Sequence, residues 1–189
     1  MVAEPQRITA LEFSNLPEQL EPMELIGGEI IVSPVPSRKH QWIAGRLYKF
    51  LDGIAEARGI GEWIQSPTEV YIAEQDVYQP DLVLFGFDAM PDSGPRAAEE
   101  IPLIVVEVLS PGTRAQDLVH KLPNYARRGI SECWIVDAYK HDISIHMPDA
   151  TGNLIATPVI DGLVTVGIYA GIQLPIQRIF AGFIVNSWR

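Results

Sequence analysis

The chain has 189 residues, 47% of them apolar, one Cys, and 14 Lys and Arg against 24 Asp and Glu. That composition supports a packed core and excludes wholesale disorder, the length predicts a single domain over 1–189, and one Cys excludes a disulfide framework or a Cys-built zinc cage. A formal net charge of −10 opposes tight non-specific binding to nucleic acid and leaves room only for a local basic cleft, whose field is screened beyond about 8–10 Å.

Thr9 predicts an N-cap for a short helix through Phe13, ended by Pro17. Segments 23–26 and 29–33 flank Gly27-Gly28, the pattern of a hairpin with a primed turn. Prolines at 34 and 36 break the strand, and Ser37 caps the longest helix, which runs from about Arg38 to Arg58 and stops at Gly59. Ile43, Ala44, Leu47, Phe50, Leu51 and Ile54 share one face of that helix, with His40 inside it. A separate sector holds Arg38, Lys39, Arg46 and Lys49, with Trp42 among them. Strands follow at 62–65, 69–73 and 82–85, then a polar loop over 87–100 carrying Asp88, Asp92, Glu99 and Glu100. Segment 103–109 is almost continuously apolar and β-branched, as in a strand buried on both faces. A helix over 114–128, kinked or restarted at Pro123, crosses to a second buried strand at 133–137. Short strands at 143–146, 154–160 and 165–168 and a helical segment after Pro175 complete the chain. The predicted class is α/β, a central mixed sheet flanked by helices, with an N-terminal hairpin and C-terminal β-hairpins.

Within this order one pattern carries chemistry: Pro80-Asp81 entering a strand, then Glu107 inside the buried run 103–109. A carboxylate there needs a cation or hydrogen-bond donors, because burying an unpaired charge costs several kcal/mol. Two readings follow. Asp81 and Glu107 share one edge of the sheet and hold a hard cation, Mg²⁺ or Mn²⁺, or Glu107 forms a salt bridge with Lys121 or Arg114. The residues supply no P-loop, dinucleotide or esterase motif, and Cys133 beside Trp134 reads as core.

Pro80-Asp81-Leu-Val, the run from Val105 through Glu107 and Ser110-Pro-Gly to Thr113, Asp117, Lys121-Leu, Tyr125-Ala, and Gly129 through Trp134 to Asp137 together resemble the Uma-two family. These are restriction endonucleases of the PD-(D/E)XK superfamily. The similarity extends to Glu24 through Glu29 and from Ser33-Pro to His40, so it covers most of the chain. It implies a restriction-endonuclease-like fold and a metal-dependent phosphodiester hydrolase site. Asp81 and Glu107 match the metal-binding acids. The lysine expected two residues after Glu107 is Leu109 here, and the resemblance assigns its role to Lys121 on the following helix. Without the family, Lys121 reads as a surface lysine paired with Asp117 at i−4. Glu29 matches an acidic position of the hairpin and becomes a third candidate ligand, against an ordinary exposed Glu. His40 becomes a candidate for orienting water or contacting phosphate, against a core histidine bonded to backbone.

The functional expectation is an endonuclease using Mg²⁺ or Mn²⁺, with nucleic acid, first of all DNA, as its substrate. Asp81, Glu107, Lys121, Glu29 and His40 form the site, and Arg38, Lys39, Arg46, Lys49 and Arg114 meet the phosphates. The alternative is an inactive nucleic-acid- or protein-binding module that retains the fold. A homodimer is expected too, through the apolar segments 168–174 and 176–183, because two-strand cleavage commonly pairs two single-site subunits. No stretch of ~18 apolar residues occurs, and the first residues lack the pattern of a secretory signal, so a cytoplasmic protein without a membrane partner is expected.

Overall fold

Thr9 and Glu12 form a reciprocal capping box that starts α1 (Ala10–Ser14) in the computed structural model, which describes residues 7–17, 21–87, 100–168 and 172–181. β1 (Met23–Ile26) and β2 (Glu29–Val32) pair antiparallel around Gly27 and Gly28, whose φ of 57° and 82° are the left-handed values a primed turn requires. β4 (Val70–Ala73) and β5 (Asp76–Tyr78) complete this four-stranded sheet in the order β2-β1-β5-β4.

α2 (Arg38–Arg58) is capped by Ser37, which accepts the His40 N–H, and ends on left-handed Gly59. Its Ile43, Ala44, Leu47 and Leu51 are buried against one face of the central sheet. That sheet contains β3 (Gly61–Gln65), β6 (Leu82–Gly86), β7 (Ile104–Leu109), β8 (Glu132–Asp137), β9 (Asp142–Pro148) and β10 (Leu154–Ala156), in the order β10-β9-β8-β7-β6-β3. β7 and β8 are parallel while the other described pairs are antiparallel, so the sheet is mixed. The three strands expected at its middle, β6, β7 and β8, are adjacent.

A parallel pair needs a crossover, and here it has three parts: α3 (Arg114–Gln116), a π-helical turn (Asp117–Lys121) and α4 (Leu122–Arg128). The break expected at Pro123 is this wide turn. Pro123 has no N–H to donate to the Val119 carbonyl, so the regular α-helical bond is absent there. The crossover covers the face of β7 that carries Val105 and Leu109, while α2 covers Ile104, Val106 and Val108. Every residue of β7 is buried as a result.

β11 (Val159–Ile160), β12 (Leu163–Thr165), β13 (Gln173–Pro175) and α5 (Ile176–Phe180) follow. Leu174, Ile176, Ile179 and Phe180 join the same core cluster as Leu47. The apolar C-terminal residues expected at a dimer surface therefore close the chain's own core; 169–171 and 182–183 lie outside the described residues. Asp88, Asp92 and Glu99 of the polar loop lie outside them as well. Among the described residues no helix is long and apolar enough to cross a membrane.

Candidate active site

Antiparallel pairing of β6 with β7 sets Leu82 opposite Val106; Asp81 directly precedes β6 and Glu107 directly follows Val106 on β7. The pairing slips by one residue there, and the Asp81 N–H donates to the Val106 carbonyl at 3.0 Å. The Val108 N–H in turn donates to Asp81 Oδ2 at 2.7 Å. Both acids thus lie at the edge where β7 and β8 end, the side on which open α/β sheets place their ligands.

Period-two alternation along β7 turns Glu107 toward the crossover, where Lys121 and Tyr125 reach it. Tyr125 Oη donates to Glu107 Oε1 at 2.5 Å, and Lys121 Nζ lies 3.3 Å from the same oxygen. The ammonium also lies 2.7 Å from Glu24 Oε1 and 3.3 Å from Asp117 Oδ1. Lys121 is therefore a buried cation held by three carboxylates, not a surface lysine with one i−4 partner. Glu24, on the inner strand β1, is fixed by the Gln79 N–H at 2.7 Å and by Gln116 Nε2 at 3.3 Å.

His40 Nε2 lies 3.1 Å from Asp81 Oδ2. Burial alone would push the imidazole pKa down, but the Asp81 hydrogen bond and charge, with the Val108 carbonyl and Asp117, raise it above its usual value. Glu107 is raised well above the carboxylate range, first by burial and then by repulsion from Asp117, Asp81 and Glu24, against the attraction of Lys121. Burial also raises Asp117, again opposed by Lys121. For Lys121 the three acids overcome burial and hold it charged.

Of the residues expected at the site, Asp81, Glu107, Lys121 and His40 come together. Glu29 does not: it is exposed on the edge strand β2, and the buried acid of the hairpin is Glu24. Sequence reasoning also passed over the hydroxyl of Tyr125 and the inward position of Asp117. Among the expected phosphate contacts, Arg38 is exposed at the start of α2 and Lys39 lies 4.8 Å over the Tyr139 ring. Arg114 pairs with Asp137 at 2.6 Å. Lys49 is exposed, but nine residues along α2 put it roughly 14 Å from His40. Arg46 serves the fold, since its guanidinium donates to the carbonyls of Arg178 and Ala181 at 2.5 and 2.8 Å and stacks over Trp42.

Among the described residues no three His, Cys, Asp or Glu side chains form a ready-made metal cage. The donor chemistry nevertheless fits a Mg²⁺-like ion, which keeps most of its waters and takes one or two carboxylates plus phosphate oxygens. Three carboxylates face one lysine here, and a fourth, Asp81, keeps one-fifth of its side chain open to solvent beside His40. Two residues before Asp81, Gln79 Oε1 is a buried acceptor with no donor.

No curated protein matches the chain significantly. Among solved structures, one described as a "putative nuclease belonging to DUF820" from Anabaena variabilis is 23% identical, with a TM-score of 0.77 over 92% of this chain and 97% of that one. That likeness shows a shared fold. A family model described as "putative restriction endonuclease" matches residues 10–177, supporting a nuclease-like function. With its match running from α1 into α5, the chain belongs to the Uma2 family.

Proposed function

We propose that this protein is a metal-dependent phosphodiester hydrolase acting on nucleic acid, with DNA as the first substrate to test. The observation that carries the reading is the pair of acids at one end of β7: Asp81 accepts the Val108 N–H, and Glu107 has Lys121 at hydrogen-bond distance. Asp81 and Glu107 would hold the divalent cation, which when bound polarises phosphate and lowers the pKa of water. Lys121 supplies positive charge where negative charge grows on the phosphate, and Glu24 and Asp117 position its ammonium. Tyr125 fixes Glu107 from the protein side, and His40 with the Val108 N–H fixes Asp81.

Calorimetry with Mn²⁺ and a cleavage assay on DNA test this. Asp81→Asn and Glu107→Gln should each abolish Mn²⁺ binding and cleavage without unfolding the protein. Unchanged Mn²⁺ binding in both variants, with no cleavage by the wild type, would favour the inactive binding module instead.

A further inference from the structure

Beside the site, where β7 and β8 end, lies a cleft of about 310 Å³ whose lining includes Leu109, Pro111, Arg114, Asp137, Tyr139 and Lys140. We propose that it is a subsite for one unpaired nucleotide, the base stacking on Tyr139 and the phosphate meeting Lys140 and Arg114. This rests on the nuclease reading and gives it a substrate class, single-stranded or locally opened nucleic acid.

The cleft is built into the fold. Asp137 Oδ1 accepts the Tyr139 and Lys140 N–H groups at 3.0 and 2.9 Å, and Oδ2 takes the Arg114 guanidinium at 2.6 Å. Burial opposes ionisation of Asp137, but these donors hold its carboxyl below the usual range. Its charge is thus committed to shaping the turn. What faces outward is a ring 62% exposed, the Lys140 side chain, which enters no salt bridge among the described residues, and the outer part of Arg114. An aromatic ring this exposed adds little to the core. Lys39 lies 4.8 Å over it, adding a third cation.

Adjacent residues of the chain link the cleft to the reacting centre. Val108 bonds Asp81, and the next residue, Leu109, floors the cleft. Consecutive residues of α2 touch both places, His40 at Asp81 and Lys39 at Tyr139. A nucleotide seated on Tyr139 would be a neighbour of the phosphate at Asp81 and Glu107.

Size and chemistry select an unpaired nucleotide over a duplex. The volume is at the small end of ligand pockets, about 300–1,000 Å³. Duplex sequence is read by a helix or ribbon entering a groove, whereas aromatic stacking with nearby cations is how single strands are held.

The test is fluorescence anisotropy with labelled oligothymidylate, oligouridylate and a DNA duplex of equal length, in Ca²⁺ and again in EDTA. Both conditions read binding without requiring cleavage. The wild type should bind a single strand more tightly than the duplex, and the thymidylate and uridylate arms compare a DNA with an RNA single strand. Tyr139→Ala should weaken single-strand binding roughly 5- to 150-fold, the range for loss of one stacked base, with little change for the duplex. Tyr139→Trp should retain the binding, and Lys140→Ala should lower the salt slope by about 0.7. Equal single-strand binding by wild type and Tyr139→Ala, equal binding of single strand and duplex, or no binding in either buffer would overturn the subsite. Cleavage that needs Asp81 but ignores Tyr139 would leave the nuclease reading standing without it. Stacking on Tyr139 in a protein that cleaves nothing would remove the nuclease reading alone.

Discussion

Replacing Lys121 by Met separates its electrostatic role from its chemical one. The ammonium is 5% exposed and lies within 3.3 Å of Glu24, Glu107 and Asp117. Methionine keeps most of the volume but leaves three buried carboxylates facing one another. Removing one partner of a buried ion pair costs about 3–5 kcal/mol. For a chain of this length each kcal/mol moves the melting temperature by about 2–4 °C, so a fall of roughly 6–20 °C is expected in EDTA at pH 8. The fall should shrink toward pH 5. Glu107 and Asp117 already have raised pKa values, so acidification neutralises them and removes the unpaired charge. Mn²⁺ should recover part of the loss at pH 8 by supplying another cation. Cleavage should fall ~10²–10³-fold, as for loss of one transition-state donor, even where Mn²⁺ restores the melt. The double variant Lys121→Met, Glu107→Gln should regain part of the stability, since one of the three facing carboxylates is gone while Glu24 and Asp117 remain, and it should stay inactive. Thermal melts at both pH values and a gel cleavage assay read all of this. A Lys121→Met protein that melts and cleaves like the wild type would refute the reasoning.

Two further outcomes follow from groups away from the site. Arg46→Ala should lose about 1–3 kcal/mol in urea titrations, because charged donors to two carbonyls are removed, and should leave the salt slope of nucleic-acid binding unchanged; a reduced slope would return Arg46 to the phosphate contacts. Glu132 bonds Trp134 Nε1 and the Ile168 N–H, and burial raises its pKa above the ordinary 4.5. A raised folded-state pKa contributes stability that is full below that ordinary value and lost as pH rises through the folded one. Glu132→Gln should therefore flatten the decline in urea midpoint on the alkaline side of pH 4.5, at a pH-independent cost of about 1 kcal/mol for the acceptor it lacks; an unchanged slope would place the titration elsewhere.

Much of the frame was legible because its signals are local. Gly27-Gly28 specifies the hairpin turn, Ser37 and Gly59 bound α2, and the apolar run of β7 announces burial on both faces. The choice between Glu24 and Glu29 was not legible. Both belong to short strands with acidic and apolar residues, and what separates them is that β1 is an inner strand while β2 is an edge. That depends on β5, three residues long and too short to show a period. Asp117 and Lys121 carry the spacing of a routine surface pair, and only the docking of the crossover on the sheet buries them. Arg46 sits in a basic sector of its helix, and its partners lie more than 130 residues further on.

The position of the lysine explains why the N-terminal hairpin bears on the site at all. In the superfamily pattern the lysine lies on the strand, two residues after the acid, where alternation gives it the acid's face directly. Here Leu109 occupies that place and packs with Val105 and Leu122. A lysine arriving from the crossover must instead enter between the two sheets, where it is stripped of water. Glu107 and Asp117 answer part of that desolvation from the central sheet and the lysine's own helical turn. Glu24 answers the rest from β1, at the shortest of the three distances. The four-stranded sheet is therefore tied to the proposed site through Glu24, and through Tyr78 of β5, whose ring lies 5.9 Å from Lys121 Nζ and edge-on to Tyr125. Disturbing β1 should reach the site through the ammonium even though Asp81 and Glu107 keep their positions.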